Sequence, residues 1–476
     1  MPLFPILPFL LAQPPAADRP RTAADCVRLA AECPCDKDTR FIALWWEDDE
    51  EEIGLWRARL AFVLNSLSRR RRMTAPTPVP GSGGVLLCVS LRDYGISAAA
   101  WDDLLYRGSG PMRLYGKKER ACPDFYLDVP AKGGKGLDTF PQPMVDGPAF
   151  KKLTAGTGTD YPIASADWFL YHATLTPAYY TLLGFKDDDD FDRLVRFREK
   201  DRDDLATKGI ISQSLETRLN NGTLLRTPTV LGHYWESFGY RSSLGNDDLF
   251  KNLLRRSFDE KLVLASLPNG LQAYVAVDKD DKTLVPASDV QIEVNRVADR
   301  RWMNKTLFPG ASCMQCHARG LREITDEVRL TTAFARRVGI LPRVGHIPKD
   351  MDEADKIRAD LDKVKDLFFE DLDSKVEEDQ NRFEAAVKRC NGLSGEENRA
   401  AFEAAFVRYA QEPVTLQVAA RRLGLTAAGL RGKLEGGVNL DPALVRLLAG
   451  RPVRPDQWYF SAMPQLMRLL AGGGKP

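Results

Sequence analysis

Five consecutive residues, Cys313-Met314-Gln315-Cys316-His317, restrict this chain more than any other stretch of it. The pattern C-x-x-C-H is the attachment signature of c-type haem. Two thiols at this spacing can each bond one vinyl group of a porphyrin, and the adjacent histidine is then held under the iron as an axial ligand. A zinc site is a poorer fit, because only two cysteines cluster here and no second C-x-x-C completes four ligands. A thioredoxin-like site would follow a strand and open a helix within a βαβ unit. Here Pro309 and Gly310 stand just before the motif and read as a loop entry.

With His317 as the proximal ligand, the other face of the iron decides between functional classes. An electron carrier closes that face with Met or His, whereas an enzyme or gas sensor leaves it open or weakly held. The remaining histidines are His172, His233 and His346, and the methionines after the motif are Met351, Met463 and Met467. Met351 or His346 is the candidate distal ligand, since a loop there can return to the haem after a helix expected over 324–338. Ordinary alternatives stand beside each: a solvent-facing loop for His346, a helix start for Met351, an upstream ligand or no ligand at all. Arg319, Arg300 and Ser312 are candidates for the haem surroundings. Arginine offsets the charge of haem propionates, and surface or capping use serves these residues equally well.

The apolar run Met1 to Ala12 is too short to span a bilayer. It reads as the hydrophobic part of a signal peptide, although three prolines interrupt it and no basic residue precedes it. Eight cysteines in 476 residues are too few for a disulfide-built scaffold. Cys26, Cys33 and Cys35 cluster near the start, where two can pair in an oxidising compartment, with Cys122 a partner for the third. Cys88 reads as a small core hydrophobe in a strand. A net charge of +1 argues against a general nucleic-acid binder. Local charge blocks at Arg69–Arg72 and Asp187–Asp190 read as solvated surface that can also orient a redox partner. No G-x-S-x-G, H-E-x-x-H or Walker loop anchors a hydrolase or nucleotide-binding reading.

The length calls for several domains. The apolar run Phe41–Trp46 precedes a helical face at Leu55, Leu60 and Leu64. Residues 73–84 read as a linker or long loop, Gly84–Ser90 as a strand and Ala98–Leu105 as a helix. Residues 116–160 read as irregular, and a helix opens at Trp168 with Pro177 interrupting it. Residues 191–219 alternate charged and apolar positions at helical spacing, and His233 to Tyr240 form an aromatic cluster. Pro268-Asn269-Gly270 joins strands Leu262–Ser266 and Leu271–Val277. Helices are expected over 353–370, 375–390 and 396–410, followed by a helical hairpin at 416–430.

Ser312-Cys313-Met314-Gln315-Cys316-His317-Ala318-Arg319-Gly320 resembles the haem-binding stretch of large, uncharacterised bacterial cytochrome c-like proteins. Ala166-Asp167-Trp168-Phe169, Tyr234-Trp235 and Leu267-Pro268-Asn269-Gly270-Leu271-Gln272-Ala273-Tyr274 extend the likeness over about 160–435. The resemblance implies one covalent haem c on the outer side of the inner membrane, and it implies no activity. Unlike small soluble cytochromes c, the chain carries its motif about two thirds along and has no clear terminal Met ligand.

The sequence therefore predicts a multidomain α+β protein. Its parts are a signal peptide or disordered tail over 1–20, a small segment and linker over 21–83, and an α+β domain with a small antiparallel sheet over 84–295. A helical cytochrome c-like haem domain follows over 296–392, then a helical region over 393–476. The expected role is electron transfer in the periplasm or another exported setting, with a redox protein or a small-molecule donor or acceptor as partner. No nucleic-acid partner and no transmembrane segment in the mature chain are expected. The alternatives are a haem-c enzyme of peroxidase or oxidase type, a gas sensor with an open distal site, and a secreted interaction protein in which the two cysteines form a structural disulfide.

Overall fold

The computed structural model describes residues 19–20, 22–107, 147–211, 221–240, 260–277, 288–291, 306–322, 324, 326, 351–352, 372–410, 412–423, 425–458 and 462–470. They form a mixed α+β fold with small sheets and helical C-terminal stretches. The chain divides into two compact units, each assembled from separated segments.

The first unit gathers Met1–Val63, Thr74–Ala173 and Ala404–Pro476. Its sheet contains β1 (Thr39–Ala43), β2 (Thr77–Pro78), β3 (Leu86–Ser90) and β4 (Ile163–Ser165) in the order β2-β3-β1-β4. β1 runs antiparallel to β3 and parallel to β4. Every residue of β1 is buried, Thr39 and Arg40 included, and its Phe41–Ala43 part is apolar without alternation because both faces are covered. The segment expected as a linker carries β2 and a fully buried Ser82, whose hydroxyl donates to the Val79 carbonyl at 2.7 Å. A helix at Pro148–Thr157 lies where the composition reads as irregular. Pro148 opens it with a preset φ, and Gly158 ends it in the left-handed region. The helical hairpin is present as Leu416–Arg422 and Ala427–Glu435, capped by the hydroxyls of Thr415 and Thr426.

The second unit gathers Leu64–Met73 and Thr174–Glu403. β5 (Thr207–Ile211), β6 (Asn221–Thr229), β7 (Gly232–Tyr240), β8 (Glu260–Ser266) and β9 (Gln272–Val277) form an antiparallel meander in chain order. β10 (Ser288–Gln291) and β11 (Thr306–Leu307) pair as a small antiparallel ribbon. Among the described residues of 191–219, the helical spacing is matched by helices at Asp188–Val195 and Glu199–Leu205. After them the chain turns into β5, because pairing with β6 from Thr207↔Arg226 to Ile211↔Gly222 overrides a weak local preference.

The Leu372–Asn391 helix ties β6 and β7 together through Asp379, a fully buried carboxylate. Arg226 grips it with two nitrogens at 2.8 and 3.0 Å, Trp235 donates at 3.0 Å, and His233 Nδ1 lies 3.2 Å away. Burial alone would raise the pKa of this carboxylate. The hydrogen bonds from His233 and Arg226 outweigh burial and hold Asp379 well below the usual carboxylate range.

Removing one member of a buried pair leaves the other charged and unmatched, at a cost of about 3–5 kcal/mol. Asp379→Asn is therefore expected to lower the free energy of urea unfolding by about that amount. The folded pKa lies below the unfolded value of 3.8, so the contribution is whole above that pH and is lost as pH falls below it. Wild type should thus lose more stability on acidification than Asp379→Asn, and a variant with the wild-type urea midpoint would contradict this.

Candidate functional site

The motif folds as one short helix, Ala311–Cys316, with His317 as its C-terminal cap. Its entry is fixed by Gly310, at φ +90°, where a Cβ would collide with the Thr174 carbonyl and lie 2.8 Å from the Tyr179 ring. Only glycine takes that conformation in that space. The Ser312 hydroxyl accepts the Phe308 N–H at 3.0 Å and closes the turn. Met314 points into the core, fully buried, so Cys313 and Cys316 are left half-buried. Neither cysteine is joined in a disulfide among the described residues.

His317 is held by its own turn. Its Nδ1 lies 3.0 Å from the Gly320 carbonyl oxygen. A carbonyl can only accept, so Nδ1 carries the proton and Nε2 presents a lone pair. The Tyr274 ring stacks on the imidazole, with centroids 5.8 Å apart and planes 28° apart. The packing pushes the His317 pKa down despite the opposing bond to Gly320, so the ring is neutral near pH 7. A neutral imidazole whose second nitrogen donates to a backbone carbonyl is the form in which histidine binds a metal.

Gly320, at φ +111°, makes this possible. A Cβ there would strike the Gln380 side chain and lie 2.9 Å from the Phe383 ring. Gln380 and Phe383 belong to the Leu372–Asn391 helix, and the Gln380 amide donates to the Arg319 carbonyl. Asn398 adds a second tie, donating to the Ala318 carbonyl at 2.8 Å. The turn after the motif is thus clamped by the helix that also holds Asp379.

Burial pushes the Cys316 thiol up to about 12, with the neighbouring Cys313 and Glu403 adding to the shift. Thiol–disulfide catalysts need the reverse, a pKa lowered toward neutrality. The short strand β11 does precede the motif, but its partner β10 is antiparallel, so among the described residues no βαβ unit frames the cysteines. Tyr179, Tyr180 and Tyr274 line the Cys313 side, all buried and kept neutral by desolvation. Tyr179 and Tyr180 accept the backbone N–H groups of Tyr274 and Ala276 at 3.1 and 3.3 Å, which fixes the rings to β9. Among the described residues, no group of three or more His, Cys, Asp or Glu is placed to hold a metal ion.

The other residues read from the sequence fall as follows. Arg319 is exposed and pairs with Glu396 at 3.5 Å. Met351 is 73% exposed. Arg300 and His346 lie outside the described residues, as do most of the helices expected over 324–338 and 353–370. His172 is buried in the first unit, 3.2 Å from the Tyr409 hydroxyl and stacked on Trp168, and desolvation lowers its pKa to about 3. His233 sits in the same unit as His317, and its buried Nε2 has no hydrogen-bond partner among the described residues. Cys88 is half-buried in β3, with its thiol pushed up to about 11 by burial. Asp379 and the Gly320 turn went unread in the sequence; C-H-x-x-G was the one available signal for the turn. No described helix is long and apolar enough to cross a membrane. Comparison with protein-family models, curated proteins and solved structures returns no match to the chain.

Gly320→Ala tests the clamp. Gly392 also has a positive φ, +80°, but nothing lies within 4 Å of a Cβ there. Gly392→Ala should cost only backbone strain, about 1 kcal/mol. Gly320→Ala should cost at least about 2 kcal/mol, since strain and collision add. Equal urea midpoints for the two variants would contradict the clamp.

Proposed function

We propose that the chain is a monohaem c-type cytochrome that transfers electrons, with residues 296–392 as its haem-bearing part and the cell exterior side of the membrane as its setting. The observation that carries this reading is the state of His317: neutral, oriented by Gly320, with Nε2 as its lone-pair nitrogen, and next in the chain to Cys316, which like Cys313 is not joined in a disulfide. The residues present fit a covalent haem. Cys313 and Cys316 lie within one turn of helix and would hold the porphyrin as thioethers, protonated Cys316 being the form suited to adding S–H across a vinyl double bond, and His317 would offer the iron a nitrogen.

When bound, the haem supplies a one-electron couple. The protein's part is to fix ligand and surroundings. Gly320 sets the tautomer of His317 and raises its basicity as a ligand, while Tyr274 limits rotation of the ring. Buried Tyr179, Tyr180 and Tyr274 give a low-dielectric wall without adding charge. The partner on this reading is a redox protein or a small-molecule donor or acceptor. Export follows from the same reading, since c-type attachment is completed on the export side of the membrane.

One observation favours a second reading. Met351 is 73% exposed, which suits a haem-c enzyme or gas sensor with an open or weakly held distal position. The structural-disulfide alternative gains no support from two cysteines that are not joined in a disulfide, one of them held protonated.

Absorption spectra of the chain from an export host with c-type maturation separate these readings. Electron transfer predicts a low-spin haem in both redox states, unaffected by carbon monoxide or cyanide. A spectrum that shifts with either ligand supports the second reading, and colourless protein contradicts both. Met351→Ala and His346→Ala should be compared, and the one that converts low spin to high spin identifies the sixth ligand.

A further inference from the structure

The basic block at Arg69–Arg72 is joined in space by a second set of arginines. Arg69, Arg70 and Arg71 line an open cleft of about 490 Å³ together with Arg193 and Arg196, which end the Asp188–Val195 helix. The remaining described lining comes from Leu194, Val230, Leu231 and Pro268, and no carboxylate is among the described lining residues. The volume lies within the range of small-molecule sites, about 300–1,000 Å³.

Several separate features hold this arrangement in place. Asn269, in the hairpin turn beside Pro268, donates to the Asn65 carbonyl at 2.8 Å, and the Ser68 hydroxyl accepts the Arg70 N–H at 3.1 Å. Gly184 leaves room for the Arg69 guanidinium, since a Cβ there would lie 2.6 Å from its Nη1. Arg196 stands at φ +61°, in the left-handed region that a residue with a side chain avoids. Such strain persists where surrounding structure imposes it, and it concentrates at binding sites. Arg193 is matched by an ion pair with Asp190. Arg71 and Arg196 have no carboxylate partner among the described residues. Converging guanidinium groups repel one another, and an anion between them relieves that repulsion. Their planar forks match the oxygens of phosphates and carboxylates. Val230, 83% exposed at the tip of the β6–β7 hairpin, adds an apolar surface on the same cleft.

We propose that this cleft binds a small organic polyanion, a molecule with two or more phosphate or carboxylate groups on a short apolar body. The site contains none of the motif residues and does not draw on the haem reading, so it stands or falls by its own test.

The test is calorimetric titration of the full chain with pyrophosphate and with citrate, beside sedimentation with phosphatidylglycerol vesicles. Arg196→Gly removes one charge and relieves the backbone strain, so it leaves folding intact. Arg72→Gln removes a charge outside the cleft and serves as the control. At least one soluble probe should bind, and Arg196→Gly and Arg71→Gln should each weaken it about tenfold, with Arg72→Gln unchanged. Three results would overturn the proposal: no binding of either soluble probe, equal loss in all three variants, or binding to vesicles alone.

Discussion

The placement of the Cys313–His317 motif depends on one buried carboxylate. Asp379 receives two nitrogens of Arg226, the indole of Trp235 and the imidazole of His233. These donors come from β6 and β7, while Asp379 comes from the Leu372–Asn391 helix. The next residue, Gln380, and Phe383 one turn on, bear on the turn Arg319–Gly320. Gly320 in turn orients His317. A chain of specific contacts thus runs from the sheet, through one helix, to the nitrogen that would meet a metal. A buried ion pair is a poor source of net stability compared with apolar packing. Its use here is registry: it sets where the helix lies along the strands, and hence where Gln380 and Phe383 meet the turn.

The chemistry of the motif is set by exclusion of charge. The three tyrosines around Cys313, the neutral imidazole of His317 and the protonated Cys316 all result from the same desolvation. In a redox-active dithiol the surroundings stabilise a thiolate. Here they disfavour one, and the same surroundings suit a site whose thiols are consumed in thioether bonds. Burial of this kind also disfavours the more highly charged redox state of a bound metal, which is one of the levers a protein has on potential.

Much of the local structure was legible in the sequence, because the signals were local. Pro268-Asn269-Gly270 marked the β8–β9 hairpin, Pro177 marked the break between Ala166–His172 and Ala178–Leu183, and Thr415 and Thr426 stood at helix starts. β5, β6 and β7 were missed because their stability comes from one another. β5 follows two charged helices and carries Gly209, packed so closely against Leu372 that a Cβ would collide with it. The motif itself was legible as five residues. Its support was not, since Asp379 and Arg226 are 153 positions apart. The division into two units was equally hidden, because each is built from segments that the sequence does not place side by side.

The central claim is that Cys313 and Cys316 carry a porphyrin in covalent bonds. Intact-mass measurement of the fully denatured, reduced chain, matured in an export host, tests it directly. The account predicts a mass increased by one haem that stays with the peptide spanning Cys313 to His317 after digestion. A peptide at its unmodified mass, or one lighter by two hydrogens because the cysteines are bonded to each other, would contradict it.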